Sequence, residues 1–162
     1  MFRFSSRGMP VSAALAALFV SICAGASEAD PPGFAQVLPD EVHWSASKAI
    51  PPGGETAVIY GDAGKPHLYI SRVRQPAGYK VAPHSHPEDR VYTVISGTFY
   101  IGFGDHFDPA RLKAFPAGSV FVVPANASHF HWMRSGESVV QITGVGPSGI
   151  EYVEASDDPR RR

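Results

Sequence analysis

Hydrophobic and polar residues alternate in short runs along most of the chain beyond residue 54. A period of two places successive side chains on opposite faces of an extended strand. Segments rich in glycine and proline separate the runs, and many short strands joined by such turns are typical of a β-sandwich or barrel. The predicted strands are residues 55–60, 67–74, 79–83, 90–95, 98–104, 119–124, 128–133, 138–145 and 149–153.

One segment, residues 105–115, departs from this alternation. Asp108 can cap a helix, and Pro109 can take the first helical position. The pattern therefore predicts one or two helical turns near the rim of an otherwise all-β structure.

The first 26 residues have the pattern of a secretory signal. Arg3 and Arg7 precede an apolar run of 13 residues, Val11–Cys23, and the sequence Ala-Gly-Ala follows at 24–26. The run is short for a bilayer span, which needs about 20 residues. We therefore expect a signal peptide over residues 1–26, a periplasmic or secreted mature protein, and no membrane association after cleavage. An uncleaved anchor or a buried helix is the alternative.

The rest of the chain divides by composition into an N-terminal arm and irregular lead (27–54), a β domain (55–153) and a flexible tail (154–162). Cys23 is the only cysteine, so a cleaved protein has neither a disulfide nor a thiol. Loss of Arg3 and Arg7 leaves 12 basic and 15 acidic residues. This balance argues against a nucleic-acid partner, which usually requires a basic face.

His84 and His86 form the first candidate site. Two residues at i and i+2 of a strand share a face, and imidazole is a common ligand of transition metals. A carboxylate a few residues further on would complete such a site. Position 90 instead carries an arginine, which has hydrogen-bond donors only and no lone pair for a metal.

The spacing of these residues resembles the two motifs of the cupin superfamily, G(X)5HXH(X)3–4E(X)6G and G(X)5PXG(X)2H(X)3N. The matching positions are Gly78, His84, His86, Gly97, Gly118, Pro124 and His129. Among cupins, the chain is most similar to small single-domain secreted bacterial proteins. The resemblance implies a double-stranded β-helix, or jelly roll, over residues 55–153. It also implies one divalent transition metal (Zn, Fe, Mn, Ni or Cu) at the barrel mouth, held by His84, His86 and His129.

The chain departs from the cupin pattern at three positions. Asn126 replaces a glycine, which is a mild change because asparagine tolerates the left-handed conformation. Met133 replaces the final asparagine and is predicted to be a core residue. Arg90 replaces the motif glutamate, and three readings compete. Arg90 could point outward and pair with Glu88 or Asp89, it could weaken or abolish metal binding, or it could bind an anionic ligand beside the metal.

Two further residues are placed in the site by strand parity. His131 lies two residues beyond His129, so we expect it to face the same cavity. There it could be a fourth metal ligand, a proton carrier, a hydrogen-bond donor to another ligand, or a residue of the pocket wall. Tyr92 shares the parity of Arg90, and both are predicted to contact substrate. We expect Arg90 itself not to touch the metal.

These observations favour a metal-binding cupin that acts as a metal-dependent enzyme on a small oxygen-rich or carboxylate-bearing molecule. Dioxygenase, isomerase, decarboxylase and lyase chemistry all remain open, since the fold does not select among them. The alternative is a non-catalytic module that binds a small ligand and has a weakened metal site or none. Sheet edges also make a homodimer an expectation.

Overall fold

The structure is a computed structural model, and it describes residues 30–162. Residues 35–162 form one compact unit, and residues 30–34 contain a single turn, in which the Phe34 N–H donates to the Pro31 carbonyl. The predicted signal peptide lies outside the described residues. Within the described part of the chain, no helix is long and apolar enough to cross a membrane.

The described residues form two antiparallel sheets, which confirms the predicted all-β jelly roll. The six-stranded sheet has the order β1-β2-β3-β10-β5-β8, and the five-stranded sheet has the order β11-β4-β9-β6-β7. The strands are β1 (Ser45–Ala46), β2 (Glu55–Tyr60), β3 (Leu68–Gln75), β4 (Lys80–Ser85), β5 (Arg90–Ser96), β6 (Thr98–Phe103), β7 (Lys113–Pro116), β8 (Val120–Val123), β9 (His129–Trp132), β10 (Ser138–Val145) and β11 (Glu151–Tyr152).

Each predicted strand overlaps an observed one, but two observed strands were not predicted. One is the two-residue β1, and the other is β7, which occupies the end of the segment predicted to be helical. The helical part is a single 3₁₀ turn, Pro109–Arg111, and Asp108 caps it by accepting a hydrogen bond from the Ala110 N–H. Pairing of β7 with β6 supplies the hydrogen bonds that keep residues 113–116 extended.

The core lies between the two sheets and is built from the inward residues of the alternating strands. Tyr92, Phe99 and Ile101 are among its largest fully buried members. Met133 is also fully buried, as predicted. Asn126 adopts φ 59°, so it takes the left-handed conformation for which the cupin pattern uses glycine.

The C-terminal residues form two 3₁₀ helices, Ala155–Asp157 and Pro159–Arg161. The Asp158 carboxylate between them is largely buried and accepts hydrogen bonds from Arg160. Arg160 also donates to the Ile150 carbonyl (3.0 Å). The segment expected to be a flexible tail is therefore in contact with the β domain, whereas its mobility in solution stays a prediction. Another 3₁₀ helix, Pro39–Glu41, lies in the N-terminal lead, which brings the number in the described residues to four.

The outer face of β9 is covered as well as its inner face. Phe130 points away from the core but is fully buried, because Phe107 of the 104–112 loop packs against its ring (4.9 Å between centroids). Gly102 lies directly opposite Phe130 on β6, and a Cβ atom at Gly102 would overlap the Phe130 ring. Phe130 thus fills the space that a side chain at position 102 would occupy.

We therefore expect Gly102→Ala to destabilise the protein by about 1–3 kcal/mol through overpacking. Urea denaturation would measure the change. Gly64→Ala is the matched control, since its Cβ would meet only the exposed Asp62 side chain, at 3.3 Å. Equal unfolding midpoints for both variants would show that the Phe130 packing is not a tight constraint.

Candidate metal centre

Three of the predicted ligands meet at one end of the five-stranded sheet. His84 lies on β4, His129 is the first residue of β9, and the two are direct partners in the antiparallel pairing. His86 follows β4 immediately. One ring nitrogen from each of the three lies within 4.8 Å of the others, and all three side chains are buried. The two sequence motifs, about 45 residues apart, thus form a single cluster.

The tautomer of each imidazole is set by a backbone carbonyl. Nδ1 of His84 lies 2.8 Å from the Ala82 oxygen, Nδ1 of His86 lies 2.7 Å from the Gly149 oxygen, and Nδ1 of His129 lies 2.8 Å from the Ala127 oxygen. A carbonyl can only accept, so each Nδ1 carries the proton and each Nε2 keeps a lone pair. Nε2 of His129 is buried without a hydrogen-bond partner among the described residues. This donor set fits a divalent transition metal.

His131 faces the same cavity, as strand parity indicates. Its ring centroid lies 5.1 Å from that of His84 and 5.1 Å from that of His129. Both of its ring nitrogens are buried and lack a partner among residues 30–162. Its nitrogens fall outside the tight group of three, so ligation by His131 stays a prediction.

Arg90 points into the site and not outward. Its side chain is 11% exposed, so the reading in which it pairs with an acidic neighbour at the surface is wrong. Nη2 donates to Ser148 Oγ (2.7 Å) and to the Gly149 carbonyl (2.9 Å), and Nη1 lies 3.1 Å from Nε2 of His86. The guanidinium therefore donates to the lone pair that a metal would use.

Glu88 holds the Arg90 side chain in this inward position. Its Oε1 atom accepts from Arg90 Nε (2.7 Å) and from the Tyr69 hydroxyl (2.8 Å). The sequence suggested the Glu88–Arg90 pair, but at the surface. It gave no sign of Tyr69, which belongs to β3, or of Ser148, which belongs to the loop after β10.

Tyr92 lies beside this cluster, as its parity with Arg90 predicted. Its ring is stacked on Phe121, with centroids 5.1 Å apart and planes at 9°. Tyr92, Arg90, His84, His86 and His131 all line one cavity of about 330 Å³ inside the barrel. The other three histidines of the described chain, His43, His67 and His106, are exposed and do not line this cavity.

Comparison with known proteins agrees with this geometry. Residues 66–156, more than half of the chain, match the family model described as Cupin. The chain is a cupin. A germin-like protein of Mesembryanthemum crystallinum is 35% identical over 74 residues, which cover 42% of the chain. The chain spans only 30% of the length of that relative.

Solved structures show the same fold at low sequence identity. The polyketide cyclase RemF from Streptomyces resistomycificus has a TM-score of 0.65 and 13% identity, over 79% of this cupin and 91% of RemF. KdgF from Halomonas sp. gives 0.55 and 20%, over 70% and 94% of the two chains. The DMSP lyase DddQ from Ruegeria pomeroyi gives 0.55 and 15%, over 69% and 61%. These similarities establish the fold of the cupin and not its reaction.

Burial keeps the clustered imidazoles of the cupin neutral. It lowers the pKa of His129 to about 4 and holds the pKa values of His84, His86 and His131 below the usual 6.5. The positive charge of Arg90 acts in the same direction as burial. Neutral imidazoles are the form that binds metals. Burial also raises the pKa of Tyr69 to about 12 and raises the pKa of Tyr92, so both phenols keep their protons at neutral pH.

These shifts predict that the metal-free protein loses stability as the pH falls from about 6.5 to about 4. In this range the histidines of the unfolded chain take up protons while the buried ones do not. The unfolded state then binds more protons, so the free energy of unfolding decreases by about 1.4 kcal/mol per pH unit for each such histidine. Urea denaturation at pH 7.5, 6 and 5, on protein freed of metal with a chelator, would measure the free energy of unfolding.

In His129→Gln, the change in unfolding free energy per pH unit should be smaller by the contribution of one histidine, about 1.4 kcal/mol. An equal unfolding free energy at pH 7 and pH 5 in the unmodified protein would contradict the expected neutral cluster.

Proposed function

We propose that this cupin binds one divalent transition metal through His84, His86 and His129, with His131 as a fourth ligand. The proposal is carried by one observation: three carbonyl-bound Nδ1 atoms leave three Nε2 atoms without a proton, and one ring nitrogen from each residue lies within 4.8 Å of the others. Zn, Fe, Mn, Ni and Cu all remain candidates, and a site made only of imidazoles favours Zn, Cu, Ni and Fe.

We further propose that the protein is a metal-dependent enzyme acting on a small oxygen-rich or carboxylate-bearing molecule. A bound metal would supply Lewis-acid polarisation of a ligand oxygen. Arg90 would bind a carboxylate, because its guanidinium is fixed beside the histidines by Glu88 and Ser148. Tyr92 keeps its proton and so could donate a hydrogen bond. The activities named for RemF and DddQ, cyclase and lyase, are properties of those proteins and leave the reaction type open here.

A non-catalytic binding module is the second candidate function, and Arg90 is the observation that favours it. Arg90 Nη1 lies within hydrogen-bond distance of His86 Nε2, where the cupin pattern would supply a glutamate ligand. A protein that kept this contact would bind a small acid in the barrel with weak metal affinity. Turnover of small carboxylic acids by the metal-loaded protein would distinguish the two functions.

Export and dimerisation also remain proposals. The signal peptide predicted for residues 1–26 supports a periplasmic or secreted location for the mature chain. A homodimer is supported by the outer face of the β8 edge strand, where Val120 and Val122 are 61% and 55% exposed. An apolar edge strand of this kind is commonly covered by a partner.

Loss of a single ligand should remove most of the metal without unfolding the barrel. We expect His84→Ala, His86→Ala and His129→Ala to lower zinc content at least tenfold, measured by elemental analysis after equilibration with zinc. Far-UV circular dichroism would confirm that each variant is folded. His106→Ala, in an exposed loop, should retain full occupancy, and full occupancy in any of the three site variants would exclude that residue as a ligand.

Removal of the positive charge of the buried Arg90 side chain should tighten metal binding. A unit charge and a dication about 6 Å apart repel each other by roughly 5 kcal/mol at an effective dielectric constant of about 20. We therefore expect Arg90→Gln to lower the zinc Kd at least tenfold in competition titrations with a chelator. Arg72→Gln is the matched control, since Arg72 pairs with Gln141 in the same sheet and does not line the cavity. Weaker zinc binding in Arg90→Gln would mean that Arg90 supports the metal site.

A further inference from the structure

Gln75 is a buried polar residue that the metal site does not use. It is the last residue of β3, its side chain is 3% exposed, and it lines the same cavity as the histidines. Its Oε1 atom has no hydrogen-bond partner among residues 30–162. A buried carbonyl without a partner is costly, since its interaction with water is lost and not replaced. Such a group, facing a cavity, marks a position where a ligand can donate.

The strand register places Gln75 far from Arg90 within the barrel. Gln75 is paired with Ser138 at one end of β10, and Arg90 is paired with Gly144 near the other end. Six residues of strand separate these positions, which corresponds to roughly 20 Å of backbone at about 3.4 Å per residue. The two side chains therefore approach the cavity from opposite ends.

The space between the two ends is lined mainly by apolar and aromatic side chains. Val73, Val81 and Val140 contribute aliphatic surface, and Phe99 and Tyr92 contribute rings. The ring of His131 packs edge-on against Phe99, with centroids 4.7 Å apart. Ser138, next to Gln75, already donates its hydroxyl to the Ser96 carbonyl (3.3 Å). The cavity thus has a cation at one end, an unpartnered acceptor at the other, and an apolar body.

We propose that Gln75 determines ligand specificity by accepting a hydrogen bond from a hydroxyl group at the far end of an elongated aromatic carboxylic acid. The carboxylate of this ligand lies at Arg90 and the metal-site end, its ring or rings lie against the cavity wall that includes Tyr92 and Phe99, and its phenolic hydroxyl donates to Gln75 Oε1. The inference rests on the proposed function, because it assigns the carboxylate to the Arg90 end. It adds a substrate class, phenolic acids, and assigns recognition of the phenolic hydroxyl to Gln75.

Matched pairs of acids with and without the hydroxyl test this assignment. The probes are 4-hydroxycinnamate with cinnamate, and 4′-hydroxybiphenyl-4-carboxylate with biphenyl-4-carboxylate, so that two ligand lengths are covered. Isothermal titration of the zinc-loaded protein gives the Kd of each acid. We expect the hydroxyl to tighten binding about five- to tenfold in at least one pair, as for one buried hydrogen bond.

Gln75→Met keeps the volume of the side chain and removes the acceptor. In this variant the advantage of the hydroxyl should fall below twofold, whereas binding of the acid without the hydroxyl should be retained. Gln141→Met is the matched control, since Gln141 lies on the same sheet, contacts Arg72 and does not line the cavity. It should keep the full hydroxyl preference. We also expect Gln75→Met to raise the Tm of the ligand-free protein, because it removes an unpartnered buried carbonyl.

Two results would overturn the inference. One is the absence of a hydroxyl preference in both pairs, which would mean that Gln75 holds only water. The other is a preference that persists in Gln75→Met. Failure of the proposed function has a different signature: neither type of acid binds, and zinc content is the same in His84→Ala as in the unmodified protein. Binding of both acids with equal Kd, weakened by Arg90→Gln, would leave the proposed function standing without the role for Gln75.

Discussion

The pairing of β4 with β9 is the interaction on which the site depends. It sets His84 directly opposite His129, and a register shift between Val81 and His84 accommodates the end of β4 where His86 follows. A second bond joins the same two motifs, since the Asn126 N–H donates to the His86 carbonyl (2.7 Å). The histidine cluster is therefore held by backbone hydrogen bonds, and side-chain contacts add only the orientation of each ring. A site built on adjacent strands in this way is more rigid than one built on loops.

The buried guanidinium of Arg90 is the largest electrostatic departure from an ordinary histidine cluster. Burial of an isolated charge would be expensive, and the structure offsets it with the Glu88 carboxylate, the Ser148 hydroxyl and the Gly149 carbonyl. The Gly149 carbonyl also accepts from His86 Nδ1, so it joins Arg90 to the ligand set. Arg90 and His86 are thus coupled on both sides of the imidazole ring, through the carbonyl at Nδ1 and directly at Nε2.

The sequence predicts the fold and the three-histidine cluster well. Two features, the strand β7 and the direction of the Arg90 side chain, depend on contacts that are distant in the chain or lie outside the local pattern. Alternation and turn residues identify the long strands because they are local signals, and His131 follows from parity with His129. The strand β7 was not found because pairing with β6, and not its own composition, keeps it extended. The inward direction of Arg90 was only one of three readings that the sequence left open, because the choice depends on Tyr69 and Ser148, which lie about 20 and 60 residues away in the chain.

The Arg90–His86 hydrogen bond occupies the lone pair that a metal would use. A metal on His86 Nε2 requires the guanidinium to leave that lone pair, while its bonds to Glu88, Ser148 and Gly149 can remain. Arg90 would then lie beside a dication, and an anion between the two charges would remove most of their repulsion. Metal affinity and anion affinity would therefore reinforce each other, since each ligand lowers the electrostatic cost of the other. Under the proposed function, this coupling would explain an arginine at a position where a glutamate would bind the metal unaided, because the site would select for the metal and the acid together.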